Sequence, residues 1–130
     1  MISGSEDKRA RILLVSPEAN FYATLQRILG RCGYAIEVAA TGEQALERIG
    51  SQRFDAIVSQ VHLPGTICGV TLLQRLRAYG LEVPVVLLTE EQTDRVRRVL
   101  ESSSRVTCVS QHADVDSLKS TLAACLASGR

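Results

Sequence analysis

The chain has 130 residues, 45% of them apolar and 22% charged, which suits one globular domain with a core large enough to fold unaided and leaves no room for a second full domain. Fifteen Lys plus Arg against fourteen Asp plus Glu give a formal net charge of +1, so no global field directs the chain to nucleic acid or to an anionic membrane. Its short apolar runs fall far below the roughly 20 residues of a membrane-spanning helix, and the first residues lack a signal peptide's apolar segment; the expectation is a soluble, cytoplasmic protein.

Residues 1–10, "MISGSEDKRA", are polar and aperiodic and read as a flexible arm. The first strand is "RILLV", Arg11 to Val15. A helix follows with Phe21, Leu25, Ile28, Leu29 and Cys32 at helical spacing, and Gly33 stops it. The second strand is "AIEVAA", Ala35 to Ala40. The second helix starts after Thr41, a capping residue with Gln44 three positions on, and ends at Gly50.

The third strand is "DAIVS", Asp55 to Ser59, with a loop beginning at Gln60. The third helix runs from about Val70 to Tyr79 and closes at Gly80. Strand four, "PVVLLT", covers Pro84 to Thr89, and a helix covers about Gln92 to Glu101. Strand five is "VTCVS", Val106 to Ser110, and the last helix runs from Asp114 to about Ala127, leaving 128–130 as a tail.

Cys32, Cys68, Cys108 and Cys125 lack CxxC spacing and nearby histidine pairs, so they read as reduced, mostly buried small apolar residues and as no metal site. Strict strand-helix alternation over 11–127 forces parallel strands with helices on both faces of one sheet. The fold class is a doubly wound α/β three-layer sandwich with five strands and five helices.

Ligands of such sheets gather beyond the carboxyl ends of the strands. Those ends offer Ser16, Pro17 and Glu18, then Gln60, His62, Pro64 and Gly65, then Thr89, Glu90 and Glu91, then Ser110, Gln111 and His112. This is a thin inventory for catalysis. Glu90 and Glu91 read as first-turn acids of the next helix, and lone His62 and His112 as solvent-facing residues.

The segments "RILLVSPEANF", "GYAIEVAATGEQALERI", "FDAIVSQVHLPG", "VPVVLLT" and "VTCVSQ" resemble, in order and spacing, the receiver domain of bacterial two-component response regulators. The resemblance implies a flavodoxin-like sheet of order 2-1-3-4-5. It places the family's acidic pair at Ser16 and Pro17, its phosphoaccepting Asp at Gln60, its switch hydroxyl at Thr89, and its Lys-Pro pair at Ser110 and Gln111. Thr107 stands where the family carries a switching aromatic.

An amide is a poor nucleophile beside a carboxylate. Ser16, Pro17 and Gln60 also carry no anionic oxygen for magnesium, and Ser110 no ammonium for a phosphoryl group. Asp55 cannot substitute, since five strand residues place it about 17 Å from Gln60. The sequence therefore predicts a pseudo-receiver, not an enzyme, with no cofactor and no Mg2+, that signals by phosphorylation-independent protein contact.

By resemblance the partners are a histidine kinase, a regulator or an effector domain, with self-association through helix four, strand five and helix five. Arg95, Arg97, Arg98 and Arg105 are the basic residues of this region and read first as a solvated helix face; as an interaction face the expectation is Arg95, Arg98, Arg105 and Thr107. Nucleic acid and membrane partners are not expected. Two alternatives stand beside this reading: phosphorylation at an unconventional residue, and a small-ligand sensor using a neutral pocket under Gln60 and Thr89.

Overall fold

A computed structural model describes residues 9–90, 93–110 and 115–128. Ten elements alternate along them: β1 (Arg11–Val15), α1 (Ala19–Arg31), β2 (Ala35–Ala39), α2 (Gly42–Ser51), β3 (Ala56–Gln60), α3 (Gly69–Ala78), β4 (Val85–Thr89), α4 (Asp94–Ser102), β5 (Val106–Ser110) and α5 (Val115–Ser128). The strands form one parallel sheet in the order β2-β1-β3-β4-β5, the doubly wound, flavodoxin-like arrangement. None of the helices among the described residues is long and apolar enough to cross a membrane.

The chain crosses one way from β1 to β2 and the other way from β2 through to β5. Crossovers of one hand then put α1 on the face opposite α2, α3 and α4. Side chains along each strand alternate between these faces. Leu13, Ile57, Val85 and Leu87 pack with Ala45, Leu72, Leu73 and Val96, whereas Ile12, Leu14, Val58, Val86 and Leu88 pack with Leu25, Leu29, Leu118 and Leu122 from α1 and α5. Double burial is why β3 and β4 are buried at every residue and β1 at every residue after Arg11.

The edge strands are marked by polar groups. In β2, Glu37 accepts from Arg11 at 2.5 Å, Gln52 at 3.1 Å and Arg48 at 3.3 Å, a charged cluster that discourages pairing by another chain. In β5, Thr107 and Ser110 are exposed.

Thr41 caps α2 as expected: its hydroxyl accepts from the Gln44 amide at 3.0 Å. Gln44 returns its side-chain oxygen to the Ala40 amide at 2.9 Å, one residue before the cap itself. Thr41→Ala removes an accepting oxygen from a free helix end and is expected to cost about 1 kcal/mol, read by urea unfolding; Thr41→Ser is expected to restore most of it.

Four expectations need correction. Gln60 closes β3 instead of opening a loop, because its backbone stays in register with Leu88. Glu90 lies outside α4, whose first turn carries Asp94 behind a Thr93 cap; Glu91 and Gln92 lie outside the described residues. The cysteines are not mostly buried: Cys32 is exposed at the end of α1 and the other three are half-buried. Residues 1–8 of the expected arm lie outside the described residues, and the Ala10 carbonyl accepts from Ala35 at 2.9 Å, so that end of the arm is held to the sheet.

Candidate functional site

The order of strands places β1 beside β3 at the point where the winding reverses, and their carboxyl ends carry Ser16 and Gln60. Both are buried, at 0% and 3% exposure. Burial at a strand end demands partners for every polar atom, and the geometry supplies them. Gln60 Oε1 accepts from the Ser16 hydroxyl at 3.1 Å, and Gln60 Nε2 donates to Glu18 Oε1 at 2.6 Å. The Ser16 oxygen in turn accepts from the Glu18 amide at 3.1 Å.

Glu18 is the N-cap residue of α1, yet its side chain does not cap the helix; it turns to Gln60 instead. The partner chemistry explains the amide. A carboxylate acceptor at 2.6 Å requires a donor opposite it, which Gln carries and an ionised Asp or Glu does not. Sequence reasoning named Glu18 but missed this bond, which joins residues 42 positions apart.

Thr89 ends β4, is 4% exposed, and stands in register with exposed Ser110 at the end of β5. Ser16, Gln60, Thr89 and Ser110 therefore lie along one edge of the sheet, with exposed Pro17 after Ser16. Gln111 and His112 lie outside the described residues. Asp55 precedes β3 at the opposite edge, where its carboxylate accepts from the Arg11 amide at 2.8 Å.

The loop after Gln60 folds back tightly. The Gly69 amide donates to the Val61 carbonyl at 2.9 Å, and a Cβ on Gly69 would fall 2.4 Å from the Gln60 carbonyl oxygen. Glu43 clamps the same loop by accepting from the Thr66 hydroxyl at 3.2 Å. Its own backbone amide, and then the Thr66 amide and hydroxyl, hold its carboxyl below the usual range.

A cavity of about 140 Å³ beside Thr89 is lined by His62, Cys68, Thr93, Arg95 and Val96 among others. Its lining includes Thr89 but not Gln60, and Arg95 gives it a charge. Burial pushes the Cys68 thiol up, but hydrogen bonds with the hydroxyl and amide of Thr71, the Val70 amide and the Arg95 charge outweigh it, leaving the pKa lowered.

The arginines of the helix-four region do not form one basic face. Arg95, in the first turn of α4, donates to Thr71 at 3.0 Å, and Arg97 faces Asp94 at 3.8 Å. Arg98 is exposed, while Arg105 precedes β5 at the far edge of the sheet. Thr107 is exposed within β5, opposite Val86.

Residues 12–123 match the family model described as response regulator receiver domain. The chain is similar to response regulator MprA of Mycolicibacterium vanbaalenii, 37% identical over 79 residues, which cover 61% of this chain and 34% of that protein. It spans about a third of the length of the curated relatives it matches.

Among solved structures, it resembles the signal receiver domain of an HD domain-containing protein from Pseudomonas fluorescens, with TM-score 0.85 and 26% identity over 93% of this chain and 97% of that one. Vibrio cholerae chemotaxis protein CheY4, at TM-score 0.82 and 24% identity over 91% of this chain and 99% of that one, shares the fold. With the family match running from β1 into α5 on a five-stranded parallel sheet of this order, the chain belongs to the receiver domains of two-component response regulators.

Proposed function

We propose that this receiver domain signals through protein contact without aspartyl phosphorylation. The observation that carries the reading is Gln60: a buried amide, bonded to Ser16 and Glu18, at the end of the third strand. An acyl phosphate forms on a carboxylate, and the amide is both a weak nucleophile and already engaged on both of its polar atoms.

The residues at this edge do not fit magnesium. A hard dication wants several anionic oxygens, and of the residues in this hydrogen-bond network only Glu18 supplies a carboxylate. Ser110 offers no cation for a phosphoryl group, and Thr107 no aromatic to swing in response to one. Nucleophile, metal ligands, counter-cation and switch aromatic are all replaced, while Thr89 keeps its hydroxyl.

The domain then acts as a scaffold held in one state. Its partners are a histidine kinase, another regulator or an effector domain in the cytoplasm, or a second copy bound through α4, β5 and α5. The test is a backbone-amide NMR titration with magnesium followed by beryllofluoride, which stands in for a phosphoryl group. The reading predicts no saturable shifts around Gln60 and Thr89; shifts that saturate there would overturn it.

A further inference from the structure

A cavity of about 630 Å³ lies at the opposite edge of the sheet from Gln60, between the connections that enter β3, β4 and β5. Its lining combines apolar Phe54, Ile57, Val83 and Pro84 with Arg53 and Arg105. Volume and lining both fall in the range of small-molecule sites, which pair apolar walls with a few placed polar groups. Leu81, 39% exposed, also borders it and is one of two exposed large hydrophobics among the described residues.

The charges on this cavity are not equivalent. Its acids have internal donors: Asp55 accepts from the Arg11 amide at 2.8 Å and Glu82 from the Ser104 hydroxyl at 2.6 Å. Its arginines have donors to spare. No hydrogen bond or ion pair among the described residues engages Arg53, and the Arg105 side chain makes one bond, to the Glu82 carbonyl at 3.3 Å; a guanidinium carries five N–H groups.

The walls are also fixed in advance. Arg77 donates to the Leu81 carbonyl at 2.7 Å and to the Ser104 carbonyl at 2.9 Å, tying the β4 entry to the β5 entry. Arg105 is the one non-glycine at positive φ among the described residues, at 53°. That is a costly conformation for a residue with a Cβ, and such strain collects where a side chain must be aimed.

The geometry points to this cavity as a binding site for a small amphipathic carboxylate, with its apolar body against Phe54 and Val83 and its carboxylate between Arg53 and Arg105. The inference is independent of the reading of Gln60, because the two sites lie at opposite edges and are read by different probes.

Amide NMR titration with octanoate tests it, with octylammonium as the charge-reversed control and Arg53→Gln and Arg105→Asn as variants. Asn tolerates the left-handed backbone that position 105 requires, so the second variant keeps the turn. Octanoate is expected to give saturable shifts at residues 49–57, 81–84 and 105, octylammonium none, and each variant about a tenfold weaker Kd. Absence of saturable shifts with octanoate, equal binding of octylammonium, or unchanged affinity in both variants would overturn the assignment.

Discussion

Gln60→Glu is expected to destabilise the folded chain by about 3 kcal/mol at neutral pH and by much less in acid. The substitution is nearly isosteric, so packing is kept and only the chemistry at Nε2 changes. At neutral pH it sets a carboxylate oxygen where a donor now lies 2.6 Å from Glu18 Oε1, at a position 3% exposed to solvent. Burial and the facing carboxylate both raise the pKa of the introduced group in the folded state above its unfolded value of about 4.3.

The sign follows from linkage. The folded state holds that proton more tightly than the unfolded chain, so stability falls as pH rises through the unfolded pKa and levels off above the raised folded one. Below about pH 4 the protonated acid donates to Glu18 much as the amide does. Urea unfolding of both proteins at pH 4 and pH 7.5 reads the difference; an equal loss at both would show that the bond to Glu18 does not govern this position.

Gly69→Ala is expected to cost about 3 kcal/mol, at the upper end of overpacking effects. The added Cβ would meet the Gln60 carbonyl oxygen at 2.4 Å and the Val61 Cα at 3.0 Å. Both are backbone atoms, and neither is the end of a flexible side chain that could turn aside. Relief would require moving the end of β3 or the start of α3, and the Gly69 to Val61 hydrogen bond with it.

Gly30→Ala is the matched control, in the last turn of α1 with nothing within 4 Å of the new Cβ. It is expected to stabilise by about 0.5–1 kcal/mol through helix propensity and a less free unfolded chain. The same chemical change thus carries opposite signs at two positions. Thermal unfolding of the pair distinguishes a steric account from a generic intolerance of substitution.

The central strands were legible because double burial writes itself as uninterrupted β-branched and Leu runs: "RILLV" matches β1 residue for residue, and "PVVLLT" exceeds β4 by one residue. Boundaries slipped where polar groups belong to an element. Gln60 read as a loop residue because its side chain is polar, yet its backbone stays in the ladder and its amide is satisfied by Ser16 and Glu18. Period and composition carry no record of a partner 42 residues away.

The placement of Ser16, Gln60, Thr89 and Ser110 at one edge followed from the parallel topology alone, which brings all carboxyl ends together. What the bonds there would be did not follow, since they depend on how α1 enters. Cys32 read as core because its spacing fits the apolar stripe of α1, but the helix ends at Arg31 and leaves it exposed. The arginines of the α4 region looked clustered in sequence and are separate in space, because α4 runs between Arg95 in its first turn and the connection that holds Arg105, at opposite ends of the sheet.

The central claim is a receiver fold without receiver chemistry, and intact mass after treatment with acetyl phosphate and magnesium tests it most directly, with a phosphorylatable receiver treated in parallel. The account predicts an unchanged mass for this chain while the parallel receiver gains phosphate. A phosphate adduct on this chain, mapped to any residue at the edge that holds Gln60, would contradict it.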